Sequence, residues 1–259
     1  SLKESEIETY VQNRLANSEI QIILHGKDPF QYKDLIENEI RRLSGRSGKR
    51  ISELDLNEAM VNNVSISSNV GVVMTATPVY GLSTLRSFIC FELIDAVLSG
   101  MRYPSGLLHK RLRGKQLVYV VHALPVRFAY QDFLFIYALT SKDKVLETKS
   151  IITKSIEDIN SNVTDEQFKL AKSQVLFNFQ NKMQNINSAS KEVLNQLNRY
   201  GDFVDVNGYE EVLNSISLSE LETRIKDVFS NETYYLLVNS LDQKSSLLDP
   251  ENKISTKND

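Results

Sequence analysis

LLHKRLRGKQLVYVVHA, residues 107–123, changes character at its single glycine, Gly114. Before it the pattern is that of a short amphipathic helix carrying basic residues, over about 104–113. After it comes an apolar strand, 117–126. A second strand follows at 130–140 after a brief hairpin, so the two are expected to be antiparallel neighbours. Arg113 and Tyr119 stand on either side of the turn.

Working outward, STLRSFICFELIDAVLSG (83–100) reads as a strong helix stopped by Gly100. Its expected buried stripe is Leu82, Leu85, Ile89, Leu93, Ala96 and Val97. GVVMTATPV (71–79) is β-rich, and Pro78 suits a strand terminus or an edge because proline cannot donate to a ladder. Downstream, 143–159 is helical with Val145, Ile152, Ile156 and Ile159 inward. Thr164 and Gln167 form a capping-box pattern opening a helix with the stripe Phe168, Ala171, Val175, Phe179 and Met183. Ser217 and Glu220 repeat that start signal, and TYYLLVNS (233–240) is a last strand.

At the other end, residues 3–16 form a short helix, EIQIIL (19–24) a strand, and 30–43 a helix. The second helix has Tyr32, Leu35, Ile36, Ile40 and Leu43 near one face. SGRSGKR (44–50) reads as a linker, residues 51–69 are polar and unclassified, and 241–259 are expected to be a disordered tail. Strands and helices are segregated rather than alternating. The expected fold class is therefore α+β, a mostly antiparallel sheet with helices packed mainly on one face, preceded by a short strand–helix segment.

The totals narrow the function. The chain has 259 residues, of which 30 are Lys or Arg and 33 Asp or Glu, so a net charge of −3 offers no overall basic field for nucleic acid. Cys90 is the only cysteine, which excludes an internal disulfide and multi-thiolate zinc sites. No apolar run approaches the roughly 20 residues of a membrane helix. The opening SLKESEIETY is polar rather than a signal peptide. These readings suit a soluble protein of the cytoplasm or periplasm.

The histidines are His25, His109 and His122, and none sits in H-x-x-E-H or H-E-x-x-H. No metal site is expected in this chain. Glu92 and Asp95, three apart on one helix, read as a solvated face rather than an acid/base pair. Lys110, Arg111, Arg113 and Lys115 are equally compatible with a solvated helix end.

From about residue 17 to 240 the chain resembles the C-terminal, non-zinc-binding module of the pitrilysin/insulinase family of zinc metallopeptidases, which includes the mitochondrial processing peptidases. EIQIILHGKDPFQYKDLIENEIRRL is similar to the family's strand–Gly–helix segment at the junction of two halves. LLHKRLRGKQLVYVV is similar to its "srLfqxlRexxgLaYxv" block, and DFLFIYALT and TDEQFKLAKSQVLFNF follow in family order. The resemblance implies three parts: a junction segment with linker (1–50), the module itself (51–240) and the tail.

The resemblance also implies a division of labour. Zinc belongs to a separate zinc-bearing N-terminal half or subunit. This half closes a chamber over a peptide substrate and supplies an Arg and a Tyr, matched here by Arg113 and Tyr119. The spacing between them is one residue short of the family pattern, so Arg111 competes with Arg113 for the role. A guanidinium can hold a carbonyl or carboxylate, and a phenol can donate to a developing oxyanion. Alone, the chain is expected to be inactive as a peptidase. The alternatives are a structural scaffold of the same fold and a stand-alone peptide-binding module. A strand edge left open in the junction segment implies a possible homodimer.

Overall fold

The computed structural model describes residues 3–16, 22–24, 27–43, 62–66, 69–101, 103–128, 131–161, 163–231 and 233–240. The predicted linker at 44–50, the tail at 241–259 and His25 lie outside them. So does half of the predicted strand 19–24, whose described part, 22–24, is not in a strand.

Five strands form one sheet: β1 (Asn62–Ile66), β2 (Val70–Val79), β3 (Val118–Arg127), β4 (Asp132–Ser141) and β5 (Tyr234–Ser240), in the order β1-β5-β2-β4-β3. β2 runs antiparallel to β4 and β5, and β3 antiparallel to β4; β1 joins β5 in parallel. The sheet is thus mostly antiparallel, as expected. β1 falls in the stretch the sequence left unclassified. Pro78 sits near a strand end, but β2 is central and not an edge. β5 stops opposite Ala76, so no ladder exists on that side for the missing N–H to break.

The eight described helices are α1 (Glu4–Ala16), α2 (Lys33–Leu43), α3 (Leu85–Ser99), α4 (Val145–Ser161), α5 (Asp165–Gln184), α6 (Ile186–Tyr200), α7 (Val206–Ser215) and α8 (Leu218–Phe229). Their starts follow local chemistry. Thr164 and Gln167 make the full reciprocal capping box of α5. Ser217 accepts from the Glu220 amide at 3.2 Å, whereas the Glu220 carboxylate turns to Arg86 on α3 instead of back to the cap.

α3 departs from the expected single stripe. Every residue from Ser87 to Ser99 is buried, because the helix packs against β3 and also against α5, α7 and α8. Phe91, Ile89, Leu93, Ile94 and Leu98 are fully enclosed. Each such side chain contributes about 1.5–3 kcal/mol of burial. α4 covers the inward face of β2, β4 and β5; its Thr148 hydroxyl donates to that of Thr140 on β4 at 3.3 Å. The opposite face of the sheet carries Val72, Met74, Phe133, Phe135, Leu139 and Leu236, all part-exposed. On α2 the predicted stripe exists but is not covered: Leu35 is 65 % exposed, Tyr32 is exposed, and Ile36 and Ile40 are half-buried.

Glu92 and Asp95 are not a solvated face. They are 6 % and 7 % exposed, a consequence of the enclosure of α3. Tyr209 on α7 donates to Glu92, and Lys182 on α5 lies 3.6 Å from Glu92 and 3.4 Å from Glu192 on α6. Two buried carboxylates, bridged by Lys182, therefore tie four helices together. Asp95 accepts from the Ser99 hydroxyl. Its carboxyl is pushed up to about 7, by burial first and also by the Glu92 charge, with the Ser99 bond opposing.

The loop leaving α3 is tight. Gly100 takes φ 68° as the helix cap, and a Cβ on Gly106 would lie 2.2 Å from the Gly100 nitrogen. Gly106→Ala is expected to lower stability by about 2 kcal/mol or more through backbone overpacking, measured by the urea midpoint. Asp95 yields a second expectation. The folded chain keeps a proton there that the unfolded chain releases near about pH 4, so stability falls as pH rises from about 4 to about 7. Asp95→Asn should lack this decline, its melting temperature rising relative to wild type between about pH 5 and about pH 8; parallel profiles would refute the assignment.

Candidate functional site

The short helix expected before β3 is present over residues 107–113, and most of it is π-helical rather than α-helical. His109–Arg113 is a π-helical turn, with Gly114 N–H donating to His109 O at 3.1 Å and Leu117 N–H to Leu112 O at 2.9 Å. Such five-residue bonds place an extra residue in the turn and redirect the side chains after it. Gly114 permits the close passage: a Cβ there would sit 2.5 Å from Lys110 O.

The turn is pinned to the end of α3. Buried His109 holds Ser99 O through Nδ1 at 2.6 Å, and His122 on β3 reaches Met101 O at 3.3 Å. Burial, together with nearby Arg113 and His122, depresses the His109 pKa against the pull of the Ser99 bond. His109 is therefore neutral, with its Nδ1–H donated to the carbonyl. Leu117 O, where β3 begins, accepts from the Thr140 hydroxyl at 2.6 Å.

These anchors separate the two arginines. Arg111 is ion-paired with Asp158 on α4 and lies 3.3 Å from the Ser155 hydroxyl. The Arg113 guanidinium has no ion pair or hydrogen bond among the described residues and faces a cleft of about 320 Å³. Tyr119 lines the same cleft. Val118 pairs with Thr140 and Val120 with Leu139, so Tyr119 is the extra residue of a β-bulge on the edge strand. The bulge leaves it 65 % exposed. The structure thus brings Arg113 and Tyr119 together and takes Arg111 away.

The cleft is completed by Gln116, Leu117, Val118 and Ser141. Sequence reasoning had not singled out Gln116 or Ser141. Ser141 lies 22 residues beyond Tyr119 and arrives only through the pairing of β3 with β4. Nearby Ser141, with the Asp143 backbone, holds the exposed Asp143 carboxyl below its usual pKa.

No group of three or more His, Cys, Asp or Glu side chains able to hold a metal occurs among the described residues. His109 and His122 have ring centroids 6.3 Å apart, but no carboxylate or thiol joins them. This set does not fit a zinc site, which takes at least three protein ligands. No described helix is long and apolar enough to cross a membrane.

Residues 1–175 match the profile of the peptidase M16 inactive domain. No curated protein matches the chain. Among solved structures it is similar to a peptidase M16 inactive domain from Pseudomonas fluorescens (TM-score 0.66, 11 % identity, 82 % of this chain and 51 % of that one). A protease from Helicobacter pylori gives TM-score 0.68 at 11 % identity over 92 % of this chain and 59 % of that one. Complex III2 from Candida albicans gives 0.63 at 11 % identity over 80 % and 52 %. The chain spans half to three-fifths of the length of these structures. At such identity the likeness concerns the fold, and it is the profile match over most of the chain that assigns the lineage. The chain belongs to the pitrilysin-type peptidase family M16, as its inactive, C-terminal domain.

Proposed function

We propose that this chain is the substrate-binding, metal-free half of a zinc-dependent endopeptidase, closing a peptide chamber with a separate zinc-bearing half. The observation that carries the reading is the cleft on β3. Arg113 and Tyr119 present a guanidinium and a phenol there with no hydrogen-bond partner of their own among the described residues. Groups held out in this way are available to a ligand.

The chemistry follows from the two groups. The Arg113 fork holds a carbonyl or carboxylate of the peptide. The Tyr119 O–H donates to the oxygen that gains charge as water adds to the scissile carbonyl, a donor placed before the reaction begins. An extended peptide adds to the β3 edge through main-chain hydrogen bonds, and alternate side chains enter the cleft. The part-exposed apolar face of the sheet gives the zinc-bearing half a surface to bury. A second copy pairing on a free strand edge would be seen as dimer in sedimentation of the chain alone.

The similarity to complex III2 supports a second reading, a scaffold subunit of the same fold that needs neither Arg113 nor Tyr119. Reconstitution separates the two. The chain alone should not hydrolyse an unstructured peptide; mixed with its zinc-bearing half it should. In that mixture Tyr119→Phe should lower kcat about 10²-fold, the order of losing one oxyanion donor, and Arg113→Ala should raise KM. A rate indifferent to Tyr119→Phe would exclude the role.

Stability gives an independent control. Tyr119→Phe and Arg113→Ala should leave the urea midpoint where it is, whereas Arg111→Ala should lower it by removing the tie to α4.

A further inference from the structure

Gln116 lies between Arg113 and Tyr119 with φ 56°, in the left-handed region that disfavours a side chain. Only one other described non-glycine residue has positive φ, Met101. Met101 is buried in the core, where packing compensates its conformation. Gln116 has no such compensation. It is exposed, and its carboxamide has no hydrogen-bond partner among the described residues. Its backbone closes the turn, donating to Arg113 O at 2.9 Å, which glycine would do without strain. A strained residue that the fold itself does not use is characteristic of a functional position.

The remaining polar groups of the cleft narrow the role. Arg113 offers only donors, and the Tyr119 and Ser141 hydroxyls each pair a donor with a weaker acceptor than a carboxamide oxygen. Gln116 brings the cleft its carboxamide, a strong acceptor and an N–H donor on one planar group, the complement of a peptide unit's N–H and C=O. We propose that Gln116 is a substrate-binding residue that clamps one main-chain amide of the peptide lying on β3, selecting for an extended backbone independently of side chain. This inference rests on the peptide-binding reading of the cleft.

The test is binding of a fluorescently labelled unstructured peptide to the full chain, followed by anisotropy. Gln116→Gly should raise the urea midpoint by relieving the backbone, yet weaken binding about tenfold, the order of one or two lost hydrogen bonds. Gln116→Asn, which also tolerates the left-handed region but is one methylene shorter, should weaken binding similarly. A set of peptides with an ester replacing each amide in turn supplies the second readout. One ester position should bind wild type more weakly but show no further loss with Gln116→Gly. Binding that depends on Arg113 yet is unchanged by Gln116→Gly, or an ester penalty that persists in that variant, would overturn the inference and leave the cleft reading standing. No binding by wild type, or binding indifferent to Arg113→Ala, would overturn both.

Discussion

The enclosure of α3 is the constraint on which the structure depends. A helix packed on every side cannot shift without disturbing the sheet and the outer helices together, because interiors are packed to crystal-like density. Its polar members are therefore fixed in place. Glu92 is held by Tyr209 and Lys182, and with Glu192 this joins α3, α5, α6 and α7. A buried ion pair of this kind fixes geometry more surely than it adds stability, since desolvation offsets most of its attraction.

The end of α3 carries that rigidity to the cleft. The carbonyls of Ser99 and Met101, just where the helix stops, hold His109 and His122. His109 is the first residue of the π turn, and His122 lies three residues past the bulge. The segment from Arg113 to Tyr119 is thus clamped at both ends, with Leu117 and Val118 buried and Arg113, Gln116 and Tyr119 exposed. The Thr148–Thr140–Leu117 relay adds a third tie from α4 to the start of β3.

This arrangement suits a site that supplies binding groups and no metal. The chain commits its buried Glu92 and Glu192 to helix packing and its described histidines to backbone carbonyls, leaving no set among the described residues that could converge on an ion. What it leaves free are a guanidinium, a phenol and a carboxamide along one edge strand. Groups ordered before a ligand binds lose less entropy on binding, which is what the proposed peptide binding calls for.

Much of this was written in the sequence. Helix starts, the α5 capping box, the β3–β4 hairpin and the α+β class rest on periodicity and on bonds spanning three or four residues, which local sequence encodes. The pairing of Arg113 with Tyr119 came from resemblance to a family rather than from periodicity. Tertiary structure decided which arginine faces the cleft, because one extra residue in a π turn rotates every side chain that follows, and only Asp158, 47 positions away, captures Arg111. It decided too that Glu92 and Asp95 are buried, that Tyr119 bulges out and that Gln116 carries strain. Burial, register and strain are set by partners distant in the chain, and a reading confined to neighbouring residues has no access to them.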